Sequence, residues 1–106
     1  MSYKVKGALV VSDSRRLTTE LTAGAALMAE KVYLAYHGQR DDAINADEAL
    51  FLDCGSFVNS LDAICDYARE TQAGLILCSP DANGRLAAAY LAARFRAGAL
   101  CDCIKL

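Results

Sequence analysis

The sequence predicts an α/β fold: a doubly wound, mostly parallel five-stranded sheet in a three-layer α/β/α arrangement. Three observations predict it. Short, almost unbroken apolar runs alternate with longer amphipathic stretches, the pattern of strands covered on both faces by helices. Helical crossovers between such strands imply parallel pairing and right-handed connections. A chain of 106 residues, 55% hydrophobic and 23% charged, can build one domain, 1–106, around a real core.

The elements follow in order. Lys6-Gly7-Ala8-Leu9-Val10-Val11 is the first strand. Residues 12–16 are polar and read as a loop. Thr18 is the expected cap of a helix with an inner stripe of Leu21, Ala25, Met28 and Ala29. Gly24, inside that helix, points to close packing on the sheet. Residues 31–36 are the second strand, ended by His37-Gly38. The polar, acidic stretch 39–48 is irregular, and 49–54 is a third strand. Ser56 is the expected cap of a second helix whose stripe is Phe57, Leu61, Ile64, Cys65 and Ala68. Gln72-Ala73-Gly74 ends it, with Gly74 suited to a left-handed C-terminal position. Residues 75–78 form the fourth strand. Residues 83–96 form a third helix, with Gly84, Ala88, Leu91, Ala92 and Phe95 inward. Leu86, Tyr90 and Ala93 give this helix a second apolar face, which implies deep cover or a partner. Residues 99–106 close the sheet as a fifth strand. That ending suits a complete small domain and equally the first domain of a longer protein.

Bulk properties exclude several functions. A net charge of −2, with Arg94 and Arg96 as the densest basic spot, argues against nucleic-acid binding. No apolar run reaches the roughly 18 residues of a membrane span, so no membrane insertion is expected. The N-terminus lacks the apolar core of a signal peptide, which predicts a cytoplasmic protein. Four of the five cysteines (Cys54, Cys65, Cys78, Cys101, Cys103) lie in apolar surroundings and read as core thiols of a reducing compartment. Cys101 and Cys103, two apart on one strand, would share a face. They do not make a metal site, and no Cys-x-x-Cys motif is present.

The best ligand candidate is the turn from Ser79 through Asn83 and Gly84 to Arg85, where helix N-terminal amides attract anions and Arg85 could meet a phosphate. The competing reading is structural: Pro80, Asn83 and Gly84 shape the turn, and no glycine-rich phosphate loop is present. Asp13, at the same sheet edge, either touches a nucleotide or caps the following turn. His37 has no nucleophile motif beside it and reads as structural. Asp41, Asp42, Asp47 and Glu48 lack calcium-loop spacing and read as a solvated loop. No catalytic constellation emerges, so the chain is not expected to be an enzyme.

Residues 79–85, Ser-Pro-Asp-Ala-Asn-Gly-Arg, the alanine-rich stretch Leu86 to Arg94, and Ala99-Leu100-Cys101-Asp102 resemble the N-terminal domain of the electron transfer flavoprotein alpha subunit. In that family a Pro-containing turn leads to a Gly-Arg pair opening a Leu/Ala-rich helix, then a short strand with an aspartate. Gly7 to Val11 and Phe57 to Leu77 fit in order and spacing. The resemblance implies an adenine nucleotide alpha hydrolase-like fold acting as a scaffold for subunit association. It implies a beta-like subunit as partner, in an assembly passing electrons from flavin dehydrogenases to an acceptor. FAD would sit in a C-terminal domain absent from this chain, with no cofactor in this domain. Five cysteines and the segment 12–19 depart from the family, marking a divergent paralogue and leaving its electron donor open. The alternative is a free-standing nucleotide-binding module resembling the universal stress proteins, binding ATP or AMP near Asp13 and Ser79 to Arg85.

Overall fold

Residues 8–11 are apolar on both sides of the pleat, and such a strand is stable only where both faces are covered. The computed structural model, which describes residues 5–41, 43–53, 55–95, 99–100 and 103–105, places this run as β1 (Val5–Ser12), inside a six-stranded sheet. After β1 come α1 (Arg15–Met28), β2 (Ala29–His37), β3 (Glu48–Leu52), a 3-10 turn (Val58–Ser60) and α2 (Leu61–Thr71). Then follow β4 (Leu75–Cys78), α3 (Ala82–Phe95), β5 (Ala99–Leu100) and β6 (Cys103–Lys105). The sheet order is β3-β2-β1-β4-β6-β5, and the first four strands are parallel.

Alternate residues of the central strands feed two cores. Leu9, Val11, Ile76 and Cys78 pack under α2 and α3, with Ile64, Cys65, Ala88 and Leu91. Ala8, Val10, Leu34 and Leu75 pack on the other face, with Ala25 of α1. Helices therefore cover both faces. The stripe expected for α2 is buried throughout: Phe57, Leu61, Ile64, Cys65 and Ala68.

Several expectations are corrected. In place of one closing strand over 99–106 stand two short ones: β6 runs antiparallel to β4, and β5 antiparallel to β6. The sheet therefore has six strands, not five. Apolar content announces strand there, but the sequence from Ala99 to Leu106 holds no glycine, proline or asparagine to separate two strands. Cys101, like Cys54 and Arg96, lies outside the described residues. Helix α1 is capped by Ser14, whose Oγ accepts from the Leu17 N–H (3.4 Å), and not by Thr18. Thr18 is buried one turn inside, its hydroxyl donating to Ser14 O at 2.6 Å. The buried face of α1 is Thr18, Thr22 and Ala25, while Met28 is exposed. A threonine that bonds back to its own helix can be buried without an orphan hydroxyl, so the inner face widens beyond the expected stripe, of which Ala25 and Ala29, the latter already the first residue of β2, are buried and Leu21 packs on the core. At Gly24 a β-carbon would meet nothing within 4 Å beyond its own helix, so no close packing on the sheet requires a glycine there. Ser56 starts the 3-10 turn through its carbonyl instead of capping α2. The left-handed position after α2 is held by Gln72 (φ 54°), not Gly74.

Candidate functional site

Strands are added from β1 outward to β3, after which the chain crosses to the other side of β1 to lay down β4. The reversal makes a crevice at the carboxyl ends of β1 and β4, where open α/β sheets meet ligands. Parallel pairing sets Val11 beside Cys78, and the Ser79 N–H extends the ladder to Val11 O (3.0 Å). Pro80 then restricts Ser79 to extended backbone and the chain turns into α3. The sequence-predicted residues Asp13, Ser79, Asn83, Gly84 and Arg85 thus come together at one edge.

What they do there is bond to one another. Asp81 is the N-cap of α3: its Oδ1 accepts from the Gly84 N–H and from the Ser79 hydroxyl, both at 2.8 Å. Its carbonyl accepts from the Arg85 N–H (2.9 Å). Asn83 Nδ2 donates to Asp13 Oδ2 at 2.7 Å, joining the two loops across seventy positions of sequence. Asp13 therefore holds Asn83 rather than capping its own turn. The Ser12 hydroxyl accepts from the Ser14 N–H and donates to Ser14 O. Ser12 and Ser79 are fully buried. Gly84 seats α3 directly on the end of β4: a β-carbon there would lie 1.7 Å from Ser79 O. Arg85 is exposed and forms no ion pair among the described residues.

The electrostatics follow from those bonds. Burial pushes the Asp81 carboxyl up, but the hydrogen bonds from the Gly84 N–H and the Ser79 hydroxyl outweigh it and hold Asp81 below the usual carboxylate range. Asp81 was not singled out from the sequence. Its signal was there: an aspartate immediately before the helix, three residues ahead of the backbone N–H it caps.

The other candidates fall elsewhere. His37 Nε2 lies 3.2 Å from Gly55 O, with its ring edge-on to Phe57 at 5.6 Å. Asp41 and Asp47 are not merely solvated: Asp41 accepts from the Ala43 N–H and pairs with Arg15 (3.0 Å), and Asp47 accepts from the Val32 N–H at 2.7 Å. On the helical surface, the Tyr90 hydroxyl donates to Asp62, and Arg94 contacts both, so the centre of the expected apolar face of α3 is tied to α2. Leu86 and Ala93 on that face remain exposed. Tyr67 Oη is shut off from solvent with no partner, and burial, helped by Glu48, pushes its phenol up to about 12. Cys65 and Cys78 are both buried in the core under α2 and α3. No group of three or more metal-ligating side chains occurs among the described residues. Among the described residues, further grooves lie outside the crevice, one of them along Arg15, Arg16, Thr19 and Glu20 of α1. Another, of about 400 Å³, runs between α1 and residues 43–47, and one of about 240 Å³ sits beside β3.

No family model matches the chain, and no match is found among curated proteins or solved structures. No helix among the described residues is long and apolar enough to cross a membrane.

Proposed function

We propose that this domain is the N-terminal scaffold and subunit-association domain of an electron transfer flavoprotein alpha-like subunit, with an adenine nucleotide alpha hydrolase-like fold. One observation carries the choice of scaffold over nucleotide site: the crevice at the switch point is closed by its own side chains. At the α3 N-terminus the Gly84 N–H is spent on Asp81 and the Asn83 side-chain amide on Asp13, and these two carboxylates face the same edge. An incoming phosphate would displace an internal cap and meet charge of its own sign. That weighs against the stress-protein-like reading. The Gly84-Arg85 opening of α3, and its seat on β4, supports the flavoprotein kinship.

In this reading the chain performs no catalysis and holds no FAD; the flavin belongs to a further domain. Its partner is a beta-like subunit, and the assembly takes electrons from flavin dehydrogenases in the cytoplasm. The test is gel filtration of the domain mixed with an electron transfer flavoprotein beta-like subunit. Co-elution at micromolar concentration is expected. Separate elution at high micromolar concentration would remove the association role.

A further inference from the structure

We propose that the outer edge of β3 receives an extended segment of a partner protein that carries a lysine or arginine facing the 40–47 loop. β3 is the last strand on its side of the sheet, paired only with β2. The Leu52 carbonyl accepts from the Gly38 N–H, so β2 takes the backbone groups of Leu52 and, by alternation, Leu50. Those of Ala49 and Phe51 point outward. Edges of this kind template another strand unless lysine, proline or a bulge blunts them. Glu48-Ala49-Leu50-Phe51-Leu52 contains neither lysine nor proline, and its last three residues are only half-buried.

The cleft of about 240 Å³ beside this edge defines what the added strand carries. Ile44 and Phe51 supply apolar wall, and Asp41, Asp47 and Glu48 outnumber Arg40. Asp41 is matched by Arg15 at 3.0 Å. Among the described residues Glu48 pairs with the half-exposed Lys31, 3.8 Å away, a pair of little worth in water. Asp47 bonds the Val32 N–H and has no cationic partner among the described residues. A basic side chain would lay its aliphatic stem along Ile44 and Phe51 and place its charge by Asp47 and Glu48. A second copy of the chain is a poor occupant: antiparallel self-pairing centred on Leu50 would set Asp47 opposite Asp53, like against like. This is strand addition with one side-chain pocket for specificity. It stands apart from the flavoprotein assignment, because it rests on the edge itself.

The probe is a capped peptide of alternating threonine and valine with a central lysine, set against the same peptide with a central glutamate. Amide NMR of the whole chain reads the titration. Saturable shifts at Ala49 and Phe51 are expected, with the lysine peptide binding about tenfold tighter, the factor that about 1.4 kcal/mol supplies. Ala49→Pro removes an outward N–H that β2 does not use, and should abolish binding while leaving the circular dichroism spectrum unchanged. Glu48→Lys should reverse the preference between peptides, and it carries the test if the proline variant misfolds. No shift with either peptide, shifts away from β3, equal binding of both peptides, or a β3-mediated dimer in the peptide-free protein would each overturn the proposal. The gel-filtration result with a beta-like subunit is read separately and is untouched by any of these.

Discussion

A β-carbon on Gly84 would stand 1.7 Å from Ser79 O and 2.6 Å from its Oγ, distances at which backbone must move. Gly84→Ala should therefore destabilise the domain by about 3 kcal/mol or more, by forcing α3 off the end of β4. Gly24→Ala is the control. That glycine sits inside α1 with nothing within 4 Å of the added carbon, so the change should stabilise by about 0.5–1 kcal/mol. Denaturant midpoints of the two variants check both signs. Asp81 adds a pH signature. Its folded-state carboxyl lies below the ordinary value of 3.8, so its contribution is fully present above about pH 4 and is lost as pH falls through the folded-state value. Asp81→Asn should flatten that part of the acid limb relative to the unaltered chain, measured by urea unfolding across pH 2 to 5. An identical acid limb in both proteins would show that the cap carries no net charge-dependent stabilisation.

At the scale of elements, the parallel pair β2–β3 is the unusual piece, because it is joined without a long helix. Asp47 makes the connection work: its carboxylate accepts from the Val32 N–H at 2.7 Å, and its own N–H donates to Val32 O at 2.9 Å. Asp47→Ala should cost about 1.5–3 kcal/mol, the range for a hydrogen bond to a charged group, and should speed amide exchange at Val32. The sequence could not show this clamp, because its partners are fifteen positions apart and an acidic loop looks solvated. It showed α2 well, since Phe57, Leu61, Ile64, Cys65 and Ala68 are apolar at helical spacing and all buried. It placed Leu21, Ala25 and Ala29 against the core but not the buried Thr18 and Thr22, which satisfy their hydroxyls within the helix, and it set the exposed Met28 inward. The C-terminal hairpin was missed for a related reason: two short apolar strands without a glycine or proline between them look like one.

For the whole molecule, strand order turns separate loops into one site. Asp13 and Asn83 meet because β1 and β4 are parallel neighbours, and the reversal of strand addition leaves their carboxyl ends side by side. The position of that edge was legible in the sequence, as an apolar run ending in a Pro/Asp/Asn/Gly turn ahead of a helix. Its closure was not, because which polar groups spend themselves on one another depends on pairing over seventy positions. In the function proposed above, that closure is the ground for choosing a scaffold over a nucleotide-binding module of similar strand pattern. Isothermal titration of the chain with AMP and with ATP tests this most directly. The internally bonded crevice predicts no binding heat for either nucleotide. A saturable isotherm with micromolar affinity, abolished by Arg85→Glu at the exposed start of α3, would contradict it.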